Sequence, residues 1–128
     1  MDLAQYFNNT DGVGVLGTCD AAGAVDLALY AKPDVLDENT IALVMKQRHS
    51  HQNLRQNLNA AYLFMEKGPG YKGLRLHLTL LREEKNQSLI ESLRRQQPCM
   101  FPKEDDSAKF LVYFTVNQVR PLTGDGAL

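Results

Sequence analysis

Leu74, Leu76, Leu78 and Leu80 alternate with Arg75, His77 and Thr79, the clearest period-two pattern in the chain. It predicts a strand with one buried and one polar face. Val13, Val15 and Gly17 alternate in a first strand that ends at the turn Asp20-Ala21-Ala22-Gly23. Val25, Leu27 and Leu29 share one face of a second strand and Asp26, Ala28 and Tyr30 the other. Lys32-Pro33-Asp34 closes that strand, because proline cannot continue a ladder interior. The unbroken apolar run Ile41–Met45 predicts a strand buried on both faces. Ala60–Glu66 and Phe110–Val119 read as two more strands, and Gly68-Pro69-Gly70 as a turn in which proline presets φ and glycine supplies positive φ.

Helical spacing appears in three places. Leu3, Tyr6 and Phe7 predict a short helix over 2–9; Leu54 and Leu58 give the inner stripe of a helix over 50–57; Leu89, Ile90 and Leu93 do so over 86–97, before a break at Pro98–Pro102. Six strands and three short helices in this order predict a mainly β single domain over 1–128, a small closed or partly closed antiparallel barrel. At 128 residues, two domains would each have too small a core.

Charge enters this picture locally. The net charge is −1, with 23% charged residues, so no global basic field points to nucleic acid or an anionic membrane surface. No apolar run is long enough to span a bilayer and Met1-Asp2-Leu3 does not begin a signal peptide, so the expected address is the cytoplasm. Cys19 and Cys99 are then expected to be reduced thiols.

From Asn39 to Met65, however, there is no Asp or Glu, while Lys46, Arg48, His49, His51 and Arg55 all fall there. At its centre an apolar strand stops and a helix starts. Unsatisfied N–H groups and the helix dipole favour an anion at such a point, and Ser50, Arg48 and Lys46 would add donors and charge. A solvated helix capped by Ser50 explains the same residues, and spacing alone leaves both readings open.

Other chemistries fare worse. His49, His51 and the distant His77 have no nearby carboxylate or cysteine to complete a metal site, so no metal is expected. Ser50 lacks a G-x-S-x-G setting and an orienting acid, which excludes a serine hydrolase. Tyr30, His77 and Cys99 are the only contributors in view for acid–base work, and none stands out as a catalytic residue. Tyr71, Lys72 and Arg75 read either as edge residues or as aromatic and cationic walls for a planar ligand.

The series Val15-Leu16-Gly17-Thr18, Leu29-Tyr30-Ala31-Lys32-Pro33, Arg48-His49-Ser50-His51-Gln52-Asn53-Leu54, Ala61-Tyr62-Leu63-Phe64 and Pro69-Gly70-Tyr71-Lys72-Gly73-Leu74-Arg75-Leu76 resembles the pyridoxamine 5′-phosphate oxidase-like family. Its members are small flavin-binding split barrels, and the resemblance runs from about Val13 to Arg120. It implies a six-stranded antiparallel split β-barrel of FMN-binding type, with FMN at the interface of a homodimer. The phosphate would lie on Arg48, His49, Ser50 and His51, with Asn53 in the same motif. The flavin ring would lie along Ala28, Leu29, Tyr30 and Ala31, beside Val44, Met45 and Lys46, with Tyr71 and Lys72 as further cofactor contacts. Gln52 stands where close relatives often carry lysine, which removes one cation near the phosphate.

The resemblance also implies a flavin-dependent oxidoreductase or electron carrier whose redox partner is a small molecule or NAD(P)H. A genuine pyridoxamine phosphate oxidase is not expected, since those enzymes are longer and carry an arginine-containing C-terminal segment. Relatives that bind deazaflavin or haem, and a dimeric module whose cofactor site has decayed, are the alternatives.

Overall fold

The chain runs α1 (Leu3–Asn8), β1 (Gly12–Cys19), β2 (Val25–Tyr30), β3 (Asp34–Asp37), β4 (Thr40–Lys46), α2 (His49–Gln56), β5 (Asn59–Glu66), β6 (Gly73–Glu84) and β7 (Lys109–Pro121). The computed structural model describes residues 1–46, 48–85, 88, 90–92 and 109–126. Of the helix expected over 86–97, Ser88 and Ile90–Ser92 are helical; its remaining residues, the Pro98–Pro102 break and Cys99 lie outside the described residues.

The strands form one antiparallel sheet in the order β2-β1-β5-β6-β7-β4-β3, with β2 and β3 at its two edges. Leu16, Ile41, Leu43, Met45, Tyr62, Phe64, Leu74, Leu76, Leu78, Phe110, Val112 and Phe114 from five strands meet in a single cluster, with Leu3 and Phe7 of α1 and Leu54 of α2. The sheet therefore curls around one core. Every alternation read from the sequence resolves into that inner face and an outer one.

β4 is buried on both faces, as its unbroken apolar run predicts. Its second face belongs to a smaller cluster of Ala42, Val44, Leu111, Tyr113 and Ile90, so Ile90 packs on the outside of β4 and β7. Behind β1, Gly14 leaves room for an aromatic ring: a Cβ there would sit 1.8 Å from the Tyr62 hydroxyl oxygen. That hydroxyl donates to the Ala31 carbonyl at 2.9 Å, tying β5 to the end of β2.

The strand count needs a correction. The sequence predicts six strands, and the described residues hold seven, the extra one being β3. Pro33 does end the segment before it, but it also stands one residue ahead of a new edge strand, where its missing N–H breaks no ladder bond. Asp-Val-Leu-Asp is also too short for alternation to be legible.

β3 carries a titration that can be measured. Burial pushes the Asp34 carboxyl up to about 6 from an ordinary 3.8. The folded chain thus holds this proton more tightly than the unfolded chain. Its contribution to stability is complete below about pH 4 and is lost as pH rises through about 6. Asp34→Asn should therefore raise the thermal midpoint at about pH 7.5, and do so more than at about pH 5. A variant less stable than the parent at both values would refute this.

Candidate functional site

β4 leaves the core at Lys46, and the chain turns into α2 through Arg48, whose extended backbone (φ −135°, ψ −164°) makes it the N-cap. Ser50 is accordingly not the cap but lies in the first turn. Arg48 makes no side-chain cap hydrogen bond, and the first turn holds no acidic residue. The first helical bond is Gln52 N–H to the Arg48 carbonyl, at 3.0 Å. The N–H groups of the residues before it therefore point out of the helix end without helical acceptors, at its positive pole.

This helix start opens on a cleft of about 520 Å³, within the range of about 300–1,000 Å³ usual for small-molecule sites. Its lining is Asp26, Ala28, Leu29, Tyr30 and Ala31 from β2 and the residue after it, Val44 and Lys46 from β4, and Arg48, His49 and Ser50. One end is thus cationic and rich in donors, and the walls are mostly small or apolar, with the Asp26 carboxylate and the Tyr30 phenol among them. The Tyr62 hydrogen bond to the Ala31 carbonyl fixes the far wall.

Tyr30 reports the electrostatics of the cleft. Burial pushes its phenol up, a hydrogen bond with Ser50 draws it down, the Asp26 carboxylate pushes it up and the Arg48 guanidinium draws it down. Asp26 is the lining residue that the sequence reading did not single out. Its signal was present, since β2 places Asp26 on the same face as Ala28 and Tyr30.

The remaining candidate residues lie elsewhere. Met45 is fully buried in the core on the other face of β4 from Val44. His51, 1% exposed, turns away from the cleft. Its Nε2 is 2.6 Å from the Glu83 carboxylate and its ring stacks on Phe110 at 4.1 Å. His51 Nδ1 is buried with no hydrogen-bond partner among the described residues. Because 49–51 is helical, the His49 and His51 rings do not share a face. Asn53 Nδ2 donates to the Thr18 hydroxyl at 3.1 Å, fastening α2 to β1. Tyr71 and Lys72 are exposed at the β5–β6 turn and do not line the cleft. No group of three His, Cys, Asp or Glu among the described residues is arranged to hold a metal ion.

No family model and no curated protein matches the sequence. The fold does match solved structures. An FMN-binding protein from Syntrophomonas wolfei subsp. wolfei superposes with a TM-score of 0.76 at 14% identity, over 97% of this chain and 86% of that one. An F420 reductase gives 0.72 at 12% identity, over 91% and 94%. A pyridoxamine 5′-phosphate oxidase candidate from Lactobacillus delbrueckii gives 0.66 at 17% identity, over 93% and 90%. The chain therefore has the pyridoxamine 5′-phosphate oxidase-like split-barrel fold.

Proposed function

We propose that this split barrel binds FMN in the cleft between β2, β4 and the start of α2, as a homodimer, and works as a flavin-dependent oxidoreductase or electron carrier. One observation carries the reading: a helix start with no acid in its first turn and no side-chain cap opens into a cleft whose walls are mostly small or apolar. Such a helix start suits a phosphate, and such walls suit a planar ring. A solved protein of the same fold is described as FMN-binding, which supports the choice.

The residues present fit the group. Arg48 supplies a guanidinium that can pair with two phosphate oxygens, and Ser50 and the first-turn N–H groups supply neutral donors. Ala28 and Ala31 leave room for a ring, and Leu29 and Val44 give it apolar contact. Lys46, the other cation of the lining, favours negative charge on whatever the cleft holds and hence a more readily reduced flavin. Bound flavin supplies the electron transfer; the protein's part is to hold it, shield it and set its potential.

The dimer has its own support. Val25, Leu27 and Leu29 on edge strand β2 are 73%, 70% and 67% exposed. The pairings Val15↔Leu29, Val15↔Leu63 and Val13↔Met65 put them on one sheet face with further apolar residues of β1 and β5. A contiguous apolar face of this kind marks an interface. Leu29 belongs both to that face and to the cleft, so a second copy seated there would border the cofactor site. Among the described residues no helix is long and apolar enough to cross a membrane, which fits the cytoplasmic address we propose.

An absorption spectrum tests the reading. The purified protein, alone or with added FMN, should show paired flavin bands that bleach on anaerobic reduction by NADH, NADPH or dithionite. A Soret band or a deazaflavin band would replace FMN by another cofactor. Colourless protein that takes up no added FMN would remove the proposal.

A further inference from the structure

Arg75 and Arg120 stand directly opposite each other on β6 and β7. Like charges in that relation destabilise a sheet unless something compensates them. Among the described residues no carboxylate pairs with either. Both guanidiniums instead converge on one neutral oxygen. Arg75 Nη2 and Arg120 Nη2 both donate to the Gly124 carbonyl, the second at 3.3 Å. Arg75 Nε also donates to the Pro121 carbonyl at 2.8 Å, and Arg120 Nε to that of Gly126 at 3.4 Å. His77 Nε2 lies 3.5 Å from Arg120 Nη1 and, facing a group that only donates, is the acceptor there.

Two full positive charges thus share partial negative charges from a backbone turn. A carboxylate or phosphate would bring a full charge and two oxygens, the geometry a guanidinium pairs with best. The two arginines lie outside the cleft. On β5, the residue paired with Arg75 is Leu63 of the exposed apolar face.

We propose that Arg75 and Arg120 form an oxyanion subsite, for the carboxylate or phosphate of a small ligand, in which the Gly124 carbonyl is the internal acceptor that such a group displaces. The subsite stands independently of the flavin reading, because none of its residues lines the cleft.

Residue-resolved NMR separates the two. The full chain is titrated with inorganic phosphate in one arm and succinate in another, at constant ionic strength set with chloride. The Arg75 and Arg120 Nε–H signals and the Gly124 amide should shift saturably, and Arg120→Gln should weaken that response at least tenfold. Arg120→Lys keeps the charge without the fork and should fall between. Response to phosphate alone assigns a phosphoryl ligand, to succinate alone a carboxylate, and to both a general oxyanion site. Arginine signals that stay still up to tens of millimolar, or move equally with chloride, overturn the proposal. Shifts confined to Arg48 and Ser50 would support the phosphate cleft and overturn this subsite.

Discussion

Arg48→Gln combined with Ser50→Ala should weaken FMN binding by about 3–6 kcal/mol, roughly 10²- to 10⁴-fold, because each removes a hydrogen bond to an anion worth about 1.5–3 kcal/mol. The two substitutions act on one phosphate, so coupling between them sets where in that range the result falls. The prediction separates a binding role from a structural one. Arg48 is exposed and makes no cap hydrogen bond, so Arg48→Gln alone should leave the thermal midpoint unchanged while costing affinity. Ser50 is buried and hydrogen-bonded to Tyr30, so its replacement should cost some stability as well. Arg55→Gln is the control: Arg55 is basic too, but sits in the last turn of α2, 3.4 Å from Glu83, and does not line the cleft. Fluorescence titration of added FMN measures all three. Equal affinity in the double variant and the parent would remove the phosphate from this helix start.

That candidate site was legible in outline because its parts are local. A strand end, a missing acid and a helix start follow one another within Lys46–Ser50, and short-range rules cover each. Ala28–Ala31 entered through the family resemblance, and β2 brings them to the same cleft. What the sequence hid depends on distant pairing. His51 is the same residue type as His49 and lies two positions on, but Glu83, 32 residues away, and the ring of Phe110 draw it out of the cleft. Met45 and Val44 are neighbours in one apolar run, and only the curl of the sheet decides which faces the core.

The fold shows the same division. Leu74–Leu80 declared its two faces and Ile41–Met45 its burial on both, since alternation and unbroken apolarity are read residue by residue. β3 did not, because four residues at an edge need a partner strand to become visible. The Arg75–Arg120 pair is likewise a product of register across β6 and β7, between residues 45 positions apart in sequence.

Leu27→Glu with Leu63→Glu should convert the proposed dimer to monomers. Both side chains are exposed, on the apolar face of β2, β1 and β5, and neither lines the cleft. Burying a leucine contributes about 1.5–3 kcal/mol. In a two-fold interface each substitution occurs twice, so four leucines are lost, about 6–12 kcal/mol, before the cost of desolvating four carboxylates. A nanomolar dimer is held by about 12 kcal/mol, so the variant should be monomeric at any workable concentration. The single chain should still fold, because neither leucine belongs to the core cluster. Sedimentation velocity gives the assembly state, and FMN titration of the same sample gives the linkage. A variant that stays dimeric would place the interface elsewhere. Monomers that bind FMN as tightly as the parent would show a cleft complete within one chain, so the dimer would then serve something other than holding the cofactor.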